Sequence, residues 1–199
     1  KDPSLAGRVS CLIIDEAQDY TTLQFKILVV LFPNATWTVV GDTAQAVHPF
    51  LKTASFAEMN EIVPIKESIV FRLTRSYRST REIQAFCQAL LIDPVQVESV
   101  NRSGELPFVT QIEKTPDLIP AIASAIQKIH EDGRVSVGII CKNTYQAKKL
   151  FADLKGHIAV NLVINENDEF HRGVIVIPSY LAKGLEFDAV LVINADAIN

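Results

Sequence analysis

Short apolar runs alternate along this chain with segments in which apolar residues recur at helical spacing. The run Val9–Ile14 predicts a buried strand, and the apolar positions from Thr21 to Phe32 predict a helix that Pro33 ends. A second strand is predicted at Trp37–Val40. Because a strand, a helix and a strand in succession form a βαβ unit, we expect the two strands to be parallel.

The same alternation continues through the rest of the sequence. Further strands are predicted at 69–73, 108–112, 135–141, 158–164, 174–177 and 189–193, and further helices at 79–91, 117–130 and 144–154. Ser79 or Thr80 would be the N-cap of the helix at 79–91. This order predicts an α/β fold class, with a parallel sheet flanked by helices. A domain boundary is expected near residues 60–68, around Val63 and Pro64, since two strands before it are too few to bury a complete core.

Composition and charge narrow the class of protein. Of 199 residues, 48% are hydrophobic and 21% are charged, which excludes disorder for most of the chain. No apolar run approaches the ~20 residues of a membrane span, and no signal peptide opens the sequence, so we expect a cytoplasmic protein with no membrane partner. The three cysteines, Cys11, Cys87 and Cys141, are expected to be buried thiols of a reducing compartment. The net charge of −4 argues against binding nucleic acid by overall charge, although a local basic groove stays open.

Two adjacent carboxylates are the strongest candidate for chemistry. Asp15 and Glu16 directly follow the first predicted strand, at the edge where open α/β sheets bind ligands. One carboxylate there can bind Mg²⁺, commonly through water, and the other can take a proton from an attacking water. The alternative is that both are helix N-terminal acids, which complement the helix dipole.

Three further segments are weaker signals by themselves. Gln45 follows the second strand, where its amide could contact a γ-phosphate or orient a water, or simply belong to a tight turn. Arg78 could clamp phosphate oxygens and Tyr77 could stack on a purine, or both could belong to a capped helix with solvated arginines. Gly184 allows close approach to a ligand and Glu186 could accept hydrogen bonds from a ribose, or both could lie in a surface turn.

Taken together, these segments resemble motifs II, III, IV and V of superfamily 1 helicases of the UvrD, Rep and PcrA type. The matching residues are Asp-Glu-Ala-Gln-Asp at 15–19, Gly-Asp-x-x-Gln at 41–45, Ser-Tyr-Arg-Ser-Thr at 76–80 and Ala-Lys-Gly-Leu-Glu-Phe at 182–187. They occur in the family's order. The resemblance implies a RecA-like (P-loop NTPase) fold, with residues 1–63 as the C-terminal part of a first RecA-like domain and residues 68–199 as most of a second.

The resemblance also implies ligands and residue roles. ATP and Mg²⁺ would be the ligands, with Asp15 coordinating Mg²⁺ and Glu16 acting as general base. The other implied roles are contact with the γ-phosphate by Gln45, stacking on adenine by Tyr77, an arginine finger at Arg78, and nucleotide contact by Glu186 beside Gly184. Nucleic-acid contacts are assigned to His48 and Tyr180, although Tyr180 could equally be a core residue.

Two departures from the family pattern affect the expected activity. No Gly-x-x-x-x-Gly-Lys-Ser/Thr loop is present, so we expect a C-terminal fragment that does not hydrolyse ATP by itself. Only about 17 residues separate Lys155 from Gly173, too few for the large inserted subdomain of many relatives. That short link resembles the helicase IV-like (HelD-like) ATPases that bind and recycle RNA polymerase.

Three hypotheses follow from these observations. The leading one is an ATP-dependent DNA helicase that translocates on single-stranded or forked DNA and unwinds duplex. The second is a helicase-like ATPase that binds and remodels RNA polymerase. The third is a non-enzymatic interaction module, which the intact set of Asp15, Glu16, Gln45 and Arg78 argues against.

Overall fold

The computed structural model describes residues 8–42, 58, 61–63, 68–73, 75–76, 78–90, 98–99 and 102–195. The chain divides into two compact units, Lys1–Val109 and Thr110–Asn199. The assignment of residues 1–63 and 68–199 to two RecA-like domains stays a prediction. Within the described residues, no helix is both long enough and apolar enough to span a membrane.

The first unit begins with a parallel βαβ arrangement, as predicted. Strand β1 (Cys11–Ile14) leads through a 3₁₀ turn (Ala17–Asp19) to helix α1 (Thr22–Leu31), and strand β2 (Thr36–Val39) follows. The two strands pair in parallel, with Cys11 opposite Thr36 and Ile14 opposite Val39. The register places the carboxyl ends of both strands side by side.

Helix α1 starts where its capping chemistry dictates and covers one face of β1. The Thr21 side chain accepts a hydrogen bond from the Gln24 backbone N–H, and the Gln24 side chain accepts one from the Thr21 backbone N–H, which forms a capping box. Phe25 packs with Ile14 and Ala17 in a buried cluster. The opposite face is open, since Ile13 is 70% exposed, so the prediction of a buried strand is wrong for that face within the described residues.

The remainder of the first unit contains two short strands and a helix as long as α1. They are strand β3 (Arg75–Ser76), helix α2 (Arg81–Leu90) and strand β4 (Glu98–Ser99), with β3 and β4 paired in parallel. Thr80 is the N-cap of α2, because its side-chain oxygen accepts a hydrogen bond from the Ile83 backbone N–H at 3.4 Å. The α2 prediction is therefore confirmed.

Two predicted strands are wrong. Residues 69–73 and 108–112 form no strand, and Phe71 and Phe108 are 84% and 79% exposed. An apolar run favours a strand only where a neighbouring strand offers backbone partners, and no described residue supplies them here.

The second unit is a fully parallel four-stranded sheet with helices beside it. After a 3₁₀ turn (Thr115–Asp117), its elements are helix α3 (Leu118–Glu131), strand β5 (Val137–Cys141), helix α4 (Thr144–Leu154), strand β6 (Asn161–Leu162), strand β7 (Val174–Pro178), helix α5 (Ser179–Ala182) and strand β8 (Ala189–Val192). The strand order is β6-β7-β5-β8. The α/β prediction is confirmed, although the strand predicted at 158–164 is only two residues long.

Both faces of the two central strands, β5 and β7, are buried. One face of β5 and β7 packs against α3 and α4; the residues of this cluster include Ile122, Ile126, Val137, Ile139, Leu150, Leu154, Val174 and Val176. On the other face, Ile175 and Ile177 pack with Val163 and with the partly buried Phe187. A sheet covered on both sides explains the nearly continuous apolar sequence of β7.

The cysteines differ from the prediction of three buried thiols. All three are free, but Cys11 and Cys87 are exposed and only Cys141 is buried. Cys11 shares the open face of β1 with Ile13, since side chains alternate along a strand. Burial raises the pKa of the Cys141 thiol to about 11, so this thiol stays protonated at neutral pH.

Gly138 leaves space that the ring of Phe187 fills. A Cβ atom at position 138 would lie 2.8 Å from Cδ2 and 2.9 Å from Cε2 of that ring. We expect Gly138→Ala to lower the free energy of unfolding by ~1–3 kcal/mol, because overpacking forces the ring to move. Denaturant unfolding measures the change. Gly156→Ala is the control, since nothing lies within 4 Å of its Cβ position, and equal stability of the two variants would contradict the prediction.

Asp188 gives the second unit a defined pH response. Its carboxylate accepts hydrogen bonds from the backbone N–H groups of Ser136 at 2.8 Å and Val135 at 3.1 Å, and these lower its pKa. Because the folded pKa lies below the unfolded one, this stabilisation is present above the unfolded pKa and is lost as the pH falls through the folded pKa. We expect Asp188→Asn to unfold at lower denaturant concentration than the wild type at pH 7.

That difference should shrink as the pH falls below the ordinary aspartate value of 3.8. Asp153→Asn, on an exposed position of α4, is the matched control. A gap between Asp188→Asn and the wild type that is the same at pH 7 and at pH 3 would show that the charged carboxylate contributes nothing.

Candidate functional site

The candidate site lies at the carboxyl edge of the β1–β2 pair. The Val40 backbone N–H donates to the Ile14 carbonyl oxygen at 2.8 Å, and the Ala17 N–H donates to the Val40 carbonyl oxygen at 2.9 Å. The parallel pairing therefore continues past the ends of both strands. It brings the acidic segment after β1 next to Gly41 and Asp42, which follow β2.

Asp15 and Glu16 occupy this edge, as the sequence predicts. Asp15 is exposed, and its carboxylate accepts a hydrogen bond from the Glu16 backbone N–H at 2.8 Å. Glu16 is partly buried, and its backbone adopts φ 50° and ψ 44°. These angles lie in the left-handed region that residues other than glycine rarely occupy. This turn ends the strand and changes the direction of the chain before the 3₁₀ turn begins.

The carboxylate of Glu16 does not act as a helix cap. Glu16 is the N-cap residue of the 3₁₀ turn, but its side chain makes no capping hydrogen bond. It accepts one instead from Nε2 of Gln18, at 2.6 Å. The alternative that Asp15 and Glu16 complement a helix dipole is not tested by this hydrogen bond.

Gln18 is a component of the site that sequence reasoning missed. Its side chain is only 2% exposed, and it is the one buried polar side chain among the described residues. Besides donating to Glu16, it accepts a hydrogen bond at Oε1 from the Asp42 backbone N–H, at 2.9 Å. The available signal was an amide beside a small residue, Ala17, in an otherwise acidic segment directly after a strand.

Gly41 leaves the room that this amide needs. A Cβ atom at position 41 would lie 2.5 Å from Oε1 of Gln18 and 3.0 Å from the Ala17 backbone nitrogen. The glycine is required by close approach of the two segments rather than by its own backbone angles.

Several predicted site residues cannot be located by the structure. Gln45, His48 and Tyr77 lie outside the described residues. Arg78 is exposed in the first unit, two residues before the Thr80 cap of α2. Of the residues predicted for the nucleotide site, the structure thus brings together Asp15 and Glu16, and the roles of all of them stay predictions.

The second unit places Tyr180 at the carboxyl edge of its own sheet. The Tyr180 hydroxyl lies 2.8 Å from the Thr144 hydroxyl, and the Ser179 hydroxyl donates to the Lys142 carbonyl oxygen at 3.2 Å. These bonds join the residues that follow β7 to those that follow β5. Tyr180 is 48% exposed, so the alternative of a core residue is wrong.

Gly184 and Glu186 lie in the segment between α5 and β8, with Gly184 in a turn. Gly184 has φ +78°, which glycine adopts at no steric cost, and the Leu185 N–H donates to the Ala182 carbonyl oxygen at 3.1 Å. Glu186 is exposed immediately after this turn. Both the ligand-contact and the surface-turn interpretations of this segment are compatible with that geometry.

The chemistry of the β1–β2 edge fits magnesium bound together with a phosphate substrate. Within the part of the chain that the structure describes, no three His, Cys, Asp or Glu side chains cluster in a way that could hold a metal ion. Mg²⁺, however, commonly binds through one or two carboxylates, waters and substrate phosphates rather than in an all-protein cage. The exposed carboxylate of Asp15 suits that kind of site.

Comparison with known proteins points to one class of enzyme. Residues 3–62 match the UvrD/REP helicase N-terminal domain. The chain is 32% identical over 207 aligned residues to "Putative ATP-dependent DNA helicase R568" of Acanthamoeba polyphaga mimivirus, a match that covers 92% of this chain and 29% of that protein. It is 24% identical over 135 residues to ATP-dependent DNA helicase UvrD2 of Mycobacterium tuberculosis, covering 63% of this chain and 19% of that protein. The chain thus spans less than a third of the length of these relatives.

Gly41→Ala tests the packing of the Gln18 amide. We expect this variant to lose ~1–3 kcal/mol of unfolding free energy, because the new methyl group displaces the Gln18 side chain. A double-mutant cycle with Gln18→Ala isolates the contact, since removing the amide removes the main clash. The two substitutions should be non-additive by ~0.5 kcal/mol or more in denaturant unfolding. Strict additivity would show that Gln18 and position 41 do not meet.

Proposed function

We propose that the protein is an ATP-dependent DNA helicase, because residues 3–62 match the UvrD/REP helicase N-terminal domain and the chain is similar to proteins named as ATP-dependent DNA helicases. It couples ATP hydrolysis to translocation on single-stranded DNA and to unwinding of duplex. The observation that supports this most directly is the pair Asp15 and Glu16 at the carboxyl end of β1, beside the segment that follows β2. The names of the relatives supply the substrate class, since both are ATP-dependent DNA helicases by name.

Glu16 is the general base in this proposal. Its carboxylate accepts a proton from the water that attacks the γ-phosphorus of ATP, while the bond from that phosphorus to the β–γ bridging oxygen breaks. The left-handed backbone at Glu16 and the hydrogen bond from Gln18 fix the direction of this carboxylate. A base oriented before the substrate arrives needs no reorganisation during the reaction.

Asp15 binds the metal in this proposal. Its exposed carboxylate would coordinate Mg²⁺. A bound Mg²⁺ would neutralise negative charge on the phosphates of ATP. Asp15 also accepts the Glu16 backbone N–H, so the two neighbouring carboxylates have separate partners and separate roles.

The remaining nucleotide contacts are proposed from the family motifs. Gln45 contacts the γ-phosphate and couples hydrolysis to strand movement, Tyr77 stacks on adenine, and Arg78 stabilises charge in the transition state. Glu186, after the turn at Gly184, contacts the ribose. These four assignments are supported by the motif residues and by the exposure of Arg78 and Glu186.

Single-stranded DNA is the nucleic acid along which the protein is proposed to translocate. The half-exposed ring of Tyr180 could stack on a base, and its hydroxyl bond to Thr144 fixes the orientation of that ring. His48 is the second residue proposed to contact DNA. Because the chain has a net charge of −4, the proposal depends on stacking and local contacts more than on overall charge.

Glu16→Gln tests the proposed base. In the product of the complete gene, we expect this variant to lose ATP turnover by ~10²-fold or more while its affinity for ATP is retained, because the amide keeps the shape but accepts no proton. Steady-state ATPase assays with single-stranded DNA measure turnover, and equilibrium binding of a fluorescent ATP analogue measures affinity. Glu166→Gln, an exposed position in the second unit, is the matched control. Wild-type turnover in Glu16→Gln would remove the assigned base.

A forked-duplex assay on the same preparations decides between DNA unwinding and the RNA polymerase alternative. The short link from Lys155 to Gly173 is the feature that favours the alternative. ATP-dependent unwinding by the wild type, absent from Glu16→Gln, is the expected result. Hydrolysis without unwinding, together with stable binding to core RNA polymerase, would favour the alternative. The 199-residue chain by itself contains no phosphate-binding loop and is expected to show no ATPase activity.

A further inference from the structure

The side chain of Gln18 joins two parts of the candidate site that are 24 residues apart in sequence. Its Nε2 lies 2.6 Å from Oε2 of Glu16, and its Oε1 lies 2.9 Å from the Asp42 backbone nitrogen. Only one orientation of the amide satisfies both partners, since the carboxylate requires a donor and the backbone N–H requires an acceptor. The amide is therefore held in one position by its two neighbours.

Burial makes this arrangement costly unless both bonds are present. With 2% exposure, the amide has lost its contact with water, and an unpaired buried amide is destabilising. Any shift of the segment after β2 that breaks the bond to Asp42 would leave Oε1 without that donor. The position of the Gln18 amide, and with it the carboxylate of Glu16, thus depends on the position of Asp42.

We propose that Gln18 is a positioning residue for the reaction, whose amide orients the carboxylate of Glu16 and links it to the segment that begins at Gly41 and Asp42. This inference deepens the proposed function and rests on Glu16 being the base. The hydrogen bond from the N–H of Gln18 restricts the rotation of the carboxylate. The segment linked in this way is the one that contains Gln45, the residue proposed to contact the γ-phosphate.

Gln18→Met removes both hydrogen bonds while nearly preserving side-chain volume. In the complete gene product we expect kcat to fall by ~10–100-fold, the range typical of partners that orient a functional group, with little change in KM for ATP. The binding stoichiometry of the fluorescent ATP analogue counts the folded sites and should stay at the wild-type value. A fall in kcat no larger than the fall in that stoichiometry would mean that Gln18 affects only the fraction of folded enzyme, and would overturn the proposal.

Gln18→Glu is the second variant, for use if Gln18→Met fails to fold. It retains the shape of the side chain and an oxygen that can still accept the Asp42 backbone N–H, but its carboxylate has no N–H to donate to Glu16. We expect kcat to fall while the binding stoichiometry of the ATP analogue is retained. A wild-type kcat would overturn the proposal.

Gln127→Glu supplies the matched control. Gln127 donates from Nε2 to a carboxylate oxygen of Glu131 at 2.9 Å, so the same chemical change is made beside a carboxylate on an exposed helix surface. Its kcat should match that of the wild type. If Glu16→Gln retains turnover, the proposed function fails. If Glu16→Gln is inactive while both Gln18 variants behave as wild type, only the positioning role fails.

Discussion

The parallel pairing of β1 with β2 is the constraint on which the candidate site depends. Parallel strands deliver their carboxyl ends to one edge, and the backbone bonds from Val40 to Ile14 and from Ala17 to Val40 extend that pairing beyond the strands. The amide of Gln18 then closes the edge by bonding to residues on both sides. Backbone geometry and one buried side chain, Gln18, therefore position the carboxylate of Glu16, and Gly41 leaves the space for the Gln18 amide.

The second unit uses the same physical arrangement with different residues. Four parallel strands with apolar residues on both faces form a rigid support, and the segments after β5 and β7 meet through the Thr144–Tyr180 contact. Polar side chains are thus placed at the end of a sheet whose core is apolar. Asp188 accepts hydrogen bonds from backbone N–H groups at the opposite end of that sheet.

Sequence reasoning succeeded where one segment is sufficient to determine its own structure. The capping box at Thr21 and the apolar stripe of the helix at 144–154 are local properties, and both helices are found as predicted. It failed at 69–73, because a strand requires a partner that the run itself does not specify. Asp15 and Glu16 lie at the carboxyl end of β1 as predicted, since a carboxylate pair after an apolar run is visible in the sequence. Gln18 was missed because its importance comes from burial and from a partner 24 residues away.

An experimental structure of the complete gene product with Mg²⁺ and a non-hydrolysable ATP analogue tests the central claim most directly. The account predicts the metal at the Asp15 carboxylate, the terminal phosphate facing the Glu16 carboxylate, and the Gln18 amide still bonded to both Glu16 and Asp42. A triphosphate bound at another part of the protein, with Glu16 directed away from it, would contradict the account.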